Sequence, residues 1–478
     1  MTTKGLEYFF GPKSVAVVGA SKNPKKIGHV ILKNFVHGFG GKVYPINPGA
    51  EDILGLTCHK SVVEVPGRLD LVIIAVPAPV VASVMKDCAR KKVKAVVIVT
   101  GGFSEVGRED LEKEIKAIAK KAGIRVIGPN CIGVFDSYSG VDSLFLPSYR
   151  LGRPPKGGIS LISQSGALGG AMLDWANLHG FGFSKFVSYG NAVDVDETDL
   201  LSFLGRDKKT GLITMYIEGI ERDGQTFMKA AKRVTDKKPV IAIKGGTTEA
   251  GGKAVISHTA SLAGSPKIYE GIFKQCGIIQ ASDLEEALDY SRVLLNLPLP
   301  KGNRVLTITN GGGLGILSTD ALEKFGFEQA VMEDKTLDAL KKEMPDYAVI
   351  GNPIDLTGDA DTERYAKAMD AALADPNVDI IMVNILFQVP TLTSDIVEAV
   401  SERFMRKEKP IVVVCLGGGY TQTHKKALER YGVPTFDYPE RAASALRCLV
   451  ERAEDVFCKD SLKTCSIRRP EAKTARRG

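Results

Sequence analysis

The sequence predicts an α/β protein of three doubly wound domains, and three observations carry that prediction. Short apolar runs alternate with helix-length amphipathic stretches along the whole chain, two Pro- and Gly-rich stretches divide it, and its second and third parts repeat one another. At 478 residues the chain has room for about three domains of roughly 150 residues, each with its own core.

The first part carries the apolar runs Ser14-Val-Ala-Val-Val-Gly19, Lys42-Val-Tyr-Pro-Ile-Asn47, Leu71-Val-Ile-Ile-Ala-Val76, Ala95-Val-Val-Ile-Val-Thr100 and Arg125-Val-Ile-Gly128. Continuous rather than alternating apolarity marks strands buried on both faces, and helices such as Asp110 to Ala122 between them give a parallel sheet. Tyr149-Arg-Leu-Gly-Arg-Pro-Pro-Lys-Gly-Gly158 reads as a linker, and Leu297-Pro-Leu-Pro-Lys-Gly302 as a second one. The predicted domains are 1–145, 157–296 and 302–457, the last ending in a helix from Pro439 to about Asp455, with 458–478 as a disordered tail.

The repeat is legible residue by residue. Ser160-Leu-Ile-Ser-Gln-Ser-Gly-Ala-Leu-Gly169 falls on Leu306-Thr-Ile-Thr-Asn-Gly-Gly-Gly-Leu-Gly315, and Lys238-Pro-Val-Ile on Lys409-Pro-Ile-Val. The offset is 171 positions from Lys238 to Lys409 but 155 from Gly277 to Gly432, so the second domain carries 16 extra residues. His258 lies in that excess, in Ser257-His-Thr-Ala-Ser-Leu-Ala-Gly264, flanked by Gly251, Gly252 and Gly264. A histidine on added, glycine-flanked material has little reason to serve a core, so this segment is expected to be a functional loop.

Composition excludes several classes. Charged residues at 25% and hydrophobic ones at 44% are ordinary for a soluble enzyme, and a formal charge of +7, partly in the tail, is modest. No basic helix interleaved with aromatics points to nucleic acid. Eight scattered cysteines without a Cys-x-x-Cys pair imply free thiols in a reducing cytoplasm. The start lacks an apolar signal core, and no run approaches the roughly 18 apolar residues of a membrane span. Neither a Gly-x-Ser-x-Gly elbow nor a His-x-x-x-His pair is present, so no metal is expected in this chain.

Three groups of residues could carry chemistry. In the first domain, Gly19-Ala-Ser-Lys-Asn-Pro-Lys-Lys-Ile-Gly28 is longer than Gly-x-Gly-x-x-Gly, and the second strand ends in Asn47 where an acidic residue would bind a ribose. Nicotinamide cofactors are thereby disfavoured. What remains is a loop at a helix start with Lys22, Lys25, Lys26 and Lys42 around it, suited to a phosphorylated nucleotide through Gly19, Ser21, Lys22, Lys42 and Asn47. Pro77, Gly101, Asn130 and Cys131 follow other strands of the same sheet and are expected to line that site, Cys131 as a buried thiol rather than a nucleophile.

The second group is the pair of strand-to-helix turns, Ser163-Gln164-Ser165-Gly166 and Asn310-Gly311-Gly312, where unpaired N–H groups could hold a phosphoryl or acyl group and Ser163 or Ser165 could cap the helix. The third is Glu218, in Met215-Tyr-Ile-Glu-Gly219. A lone Glu at a strand end is most often a solvated turn residue. Its better use is to accept Nδ1–H of His258 and so expose Nε2 as a nucleophile.

Taken in order, Gly19-Ala-Ser, Gly128-Pro-Asn-Cys, Ser163-Gln-Ser-Gly, Ile217-Glu-Gly and Ser257-His-Thr-Ala-Ser-Leu-Ala-Gly264 resemble the alpha subunit of the ADP-forming acyl-CoA (acetate–CoA) ligases, relatives of succinyl-CoA synthetase. The resemblance runs from about Leu6 to Asp455, and the third domain, with Asn352-Pro-Ile-Asp355, points to the acyl-CoA ligase branch. It implies a Rossmann-like CoA-binding domain followed by two flavodoxin-like, succinyl-CoA synthetase-like domains. It also implies CoA as ligand, a phosphohistidine at His258 with Glu218 as its partner, and acyl-CoA and phosphate as substrates. The chain shows no ATP-grasp sequence, so the resemblance further implies an ATP-grasp beta subunit, in an alpha2beta2 assembly, that would bind ADP or ATP with Mg. The competing readings are a non-catalytic acyl-CoA sensor, a relative of the protein acetyltransferases, and a plain CoA-binding or redox-sensing Rossmann protein. An undegraded His258 loop and the two further domains argue against them.

Overall fold

The computed structural model describes residues 3–220, 223–259 and 265–466, with side chains for all of these except 256–259 and 459–466. The first domain holds β1 (Ser14–Val18), β2 (Lys42–Ile46), a small hairpin of β3 (Asp52–Ile53) and β4 (Leu56–Thr57), then β5 (Leu71–Ile74), β6 (Ala95–Ile98) and β7 (Arg125–Ile127). The five strands outside the hairpin form a parallel sheet in the order β2-β1-β5-β6-β7. Alternate side chains enter two separate cores: Val15, Val17, Leu71, Ile73 and Val97 face one, and Ala16, Val18, Val72, Ile74 and Val96 the other. Burial on both faces is why these strands read as unbroken apolar runs.

A second sheet comprises β8 (Val134–Asp136), β9 (Val141–Asp142), β10 (Lys156–Ser163), β11 (Phe183–Ser188), β12 (Leu212–Ile217), β13 (Val240–Lys244) and β14 (Ile279–Ala281), in the order β14-β13-β12-β10-β11-β8-β9. Here the predicted boundary at 145 needs correction. Val134 to Val141 already belong to this sheet, because β8 pairs antiparallel with β11 and β9 with β8. The first two sheets lie in one compact unit, Met1–Ser291.

The second unit, Arg292–Gly478, contains β15 (Arg304–Thr309), β16 (Glu328–Gln329), β17 (Ile354–Asp355), β18 (Ile380–Asn384), β19 (Ile411–Val414) and β20 (Thr435–Phe436). Its order, β16-β15-β18-β19-β20, repeats β11-β10-β12-β13-β14 strand for strand. After β19 one helix, Gly419–Arg430, leads to β20, whereas after β13 two helices, Glu249–Thr259 and Pro266–Cys276, lead to β14. The 16 extra residues are therefore 249–264. Where a loop was expected, the segment is helical through Thr259. Thr248 Oγ1 accepts the Gly251 N–H at 3.0 Å, and Gly251 packs against Gly246 so closely that a Cβ would lie 3.2 Å from its Cα. The expected disordered tail is likewise shortened, because the last helix runs from Pro439 to Ser466. Residues 467–478 lie outside the described residues.

The first two domains are joined through Arg125 on β7. Its Nε donates to Asp194 and its Nη2 to Asp199, both at 2.8 Å, and the Asp199 side chain is only 2% exposed. Arg125→Leu strands these carboxylates in a place built for a cation. The expected loss is about 3 kcal/mol of unfolding free energy in urea titrations near neutral pH, and a loss below about 1 kcal/mol would reduce the pair to a surface contact. Among the described residues no helix is long and apolar enough to cross a membrane.

Candidate functional site

The loop after β1 turns back on itself. Gly19 has φ +87 and approaches β5 so closely that a Cβ would stand 2.3 Å from Ala75 O, while Gly28 opposes Gly19 O at 2.0 Å in the same sense. Only glycine fits either place. Within the loop Ser21 Oγ accepts the Asn23 N–H, Asn23 Oδ1 accepts the Lys25 N–H, and Asn47 Nδ2 reaches from the end of β2 to Ala20 O at 2.8 Å. The result is a cleft of about 820 Å³ at the carboxyl ends of β1, β2 and β5. Gly19, Ser21, Asn47 and Pro77 line it as expected, joined by Lys25, Lys26 and Lys60.

Two expected lysines are placed differently. Lys42 opens β2 opposite Ser14, one strand length from Asn47, so the parallel register sets it about 13 Å along the sheet from this cleft. Lys22 is exposed and paired with Asp52 at 3.0 Å. Lys60 was missed because it returns to the site through the β3–β4 hairpin and the bridge between Ile46 and His59. A lysine following a hairpin after the second strand is the signal that was available.

Gly101, Asn130 and Cys131 gather elsewhere, beyond β6 and β7. A Cβ on Gly101 would lie 3.2 Å from Asn130 Oδ1, and Asn130 Nδ2 donates to Asn191 Oδ1 at 3.2 Å. Asn191 Nδ2 in turn donates to Glu105 Oε2 at 2.7 Å, locking the second domain to this turn. Burial works to raise Glu105, but the hydrogen bonds from Asn191 and the Gly102 N–H outweigh it and hold the carboxyl below its ordinary range. Cys131 does not line a surface: its thiol is buried in the core, donates to Ile98 O and is pushed up to about 12 by desolvation. It is inert at neutral pH.

At the second turn Ser165 caps the helix Gly166–Leu178, accepting the Leu168 N–H, while Ser163 donates to Ser165 O. Gln164 also has a structural task. Its Oε1 accepts the N–H groups of Glu218 at 2.7 Å and Gly219 at 3.1 Å, fixing the turn after β12. The equivalent Asn310 of the third domain does the same for Leu386, accepting its N–H at 2.9 Å and donating to its carbonyl at 3.1 Å. Beside Gly312 the third domain places a carboxylate, Asp355 Oδ2, 2.9 Å from where a Cβ would be. The helix start there already faces a negative group, whereas at Ser165 and Gly166 the cap is a neutral hydroxyl.

Glu218 is 5% exposed, which removes the solvated-turn reading. One oxygen, Oε1, accepts the Tyr216 hydroxyl at 3.1 Å, and the other, Oε2, is buried without a hydrogen-bond partner among the described residues. An orphaned carboxylate oxygen is costly unless something comes to it. His258 lies in the last turn of the helix Glu249–Thr259, which begins four residues after Gly245 and runs beside the turn Ser104–Val106 of the first domain. The His258 side chain lies outside the described residues.

Family models match three consecutive stretches: a CoA binding domain over residues 13–136, a succinyl-CoA ligase like flavodoxin domain over 156–294, and a Ligase-CoA domain over 305–451. The chain is 42% identical over 461 residues to the alpha subunit of acetate–CoA ligase (ADP-forming) II of Pyrococcus furiosus, covering 94% of this chain and 98% of the relative. It is also 42% identical to the acetate–CoA ligase (ADP-forming) of Methanocaldococcus jannaschii, covering 92% of this chain and 62% of that longer protein. Among solved structures, the dinucleotide-forming acetyl-coenzyme A synthetase 1 of Candidatus Korarchaeum cryptofilum, in complex with phosphate and ADP, superposes with a TM-score of 0.90 at 39% identity, over 96% of this chain and 99% of that one.

Proposed function

The chain belongs to the family of ADP-forming acetate–CoA ligases, and from that premise we propose that it is an alpha subunit converting acyl-CoA and phosphate, with ADP, to the free acid, CoA and ATP. Phosphate attacks the thioester carbonyl, the C–S bond breaks, and CoA leaves as acyl phosphate forms. His258 Nε2 then attacks phosphorus, the P–O bond to the acyl group breaks, and the carboxylate departs. Glu218 accepts Nδ1–H meanwhile and stabilises the imidazolium. An ATP-grasp beta subunit, holding ADP and Mg in an alpha2beta2 assembly, takes the phosphoryl group. The orphaned, buried Oε2 of Glu218 is the observation that carries this reading, since a non-catalytic sensor would have no use for it. Radiolabelled phosphate and acetyl-CoA given to the complete assembly should leave acid-labile, base-stable label on this chain that ADP removes. A chain that stays unlabelled would sink the proposal.

CoA is assigned to the cleft after β1, its phosphates at the loop 19–28 and at Lys25, Lys26 and Lys60. A Lys25→Glu, Lys60→Glu double variant should weaken CoA at least tenfold in calorimetric titrations, because it replaces two cations by anions beside a phosphorylated ligand. Lys42→Glu, at the opposite edge of the sheet, should leave affinity unchanged. Equal losses in the two variants would move the ligand elsewhere.

A further inference from the structure

Three residues after β12 are held by more side chains than a turn requires. Gln164 Oε1 accepts the N–H groups of Glu218 and Gly219, and the Tyr269 hydroxyl accepts the Ile220 N–H at 3.1 Å. Lys244 Nζ donates to Glu218 O at 2.8 Å and to Gly245 O. Lys244 ends β13 in register with Ile217, is 7% exposed, and sets its ammonium 4.6 Å from the Tyr269 ring centroid. Burying a lysine costs several kcal/mol unless its charge is used. Desolvation draws Lys244 below the ordinary lysine range, with the Glu218 charge working against that fall.

The carboxylate is held as firmly as the backbone. Tyr216 lies on β12 and Glu218 directly follows its last residue, where the phenol donates to Oε1 and Oε2 is left without a partner among the described residues. Desolvation, and after it the Glu218 charge, push the phenol upward, so it remains a donor at every working pH. Room for the phenol is made by Gly245, where a Cβ would stand 2.6 Å from the Tyr216 hydroxyl. In the third domain the positions equivalent to Glu218 and Lys244 are Leu386 and Cys415, and there the Gln164-like bridge by Asn310 persists alone. The extra contacts thus accompany the carboxylate and not the fold.

We propose that Tyr216 and Lys244 are positioning residues for Glu218, the phenol fixing the rotation of the carboxylate and the ammonium fixing the turn that presents it, so that Oε2 meets the imidazole without reorganisation. This rests on the assignment of Glu218 as partner of His258. Fixing a catalytic group by a supporting shell is how a site holds geometry within about half an ångström.

A double-mutant cycle in the complete assembly tests it, with the rate of phosphohistidine formation as readout. Tyr216→Phe should slow that step about tenfold, the loss of one hydrogen bond to a charged group, with CoA affinity unchanged and the melting temperature lowered by a few degrees at most. Lys244→Met should slow it further and Lys244→Arg should recover part of the rate. In a Glu218→Gln background both Tyr216→Phe and Lys244→Met should cost almost nothing more, because the group they position is gone. Additive losses in that background, or a Tyr216→Phe rate within twofold of the parent, overturn the proposal, and Tyr216→Phe decides the matter should Lys244→Met fail to fold. If Glu218→Gln alone is without effect, the partner assignment itself falls, and the inference with it.

Discussion

Replacing His258 by alanine is expected to abolish ATP formation while leaving the first half-reaction, CoA binding and the fold in place. The phosphoryl group needs a nitrogen nucleophile, and the other five histidines stand in other elements. His29 and His37 are on the helix Ile27–Gly38, His59 bridges to Ile46 after the β3–β4 hairpin, His179 follows the helix Gly166–Leu178 and His424 is on the helix Gly419–Arg430. A step that loses its only nucleophile falls by on the order of 10⁴-fold or more. Acyl phosphate formation does not pass through the imidazole, so the variant should still release acyl phosphate, trapped as a hydroxamate, from acyl-CoA and phosphate. An ATP rate within tenfold of the parent would disprove the assignment. Loss of acyl phosphate along with ATP would instead place His258 in the first half-reaction.

The parts of this chain that were legible in the sequence are those whose cause is local. β1, β5 and β6 could be read because both of their faces are buried, and Gly166–Leu178 because Ser165 offers a cap directly before an apolar helix. The repeat exposed the insertion at 249–264, since a register shift is a property of the string itself. What escaped depends on pairing across long separations. Val134–Asp136 looks like an ending of the first domain and joins the second sheet through Val187, and Lys42 looks close to Asn47 until the strand direction sets them at opposite edges. Gln164 has a task that the string does not show. An amide beside a helix start reads as an anion ligand, and only the fold reveals the two N–H groups of β12's turn on its oxygen. Lys244 and Tyr216 had a signal that went unread: each stands in a strand where its repeat partner is Cys415 or Asn384.

Glu218→Gln is expected to lower the rate of phosphohistidine formation by ~10²–10⁴, the usual cost of removing an acid–base partner, with KM for acyl-CoA little changed. The substitution keeps the volume, and its carbonyl oxygen can still accept the Tyr216 hydroxyl, so the pocket has no reason to collapse. What is lost is the charge at Oε2, now buried with nothing to satisfy it. That makes the expected stability effect unusually small. Most changes at a residue 5% exposed destabilise, but here the charge at the orphaned Oε2 becomes a neutral amide while the buried Lys244 ammonium loses an opposing charge, so the two effects offset and the melting temperature should change little. A group whose removal slows chemistry and leaves the fold standing is one kept for function, and the two measurements together separate that case from a structural carboxylate, for which rate and stability would fall in step. A Glu218→Gln protein with unchanged transfer kinetics would leave the buried oxygen without a role in this reaction.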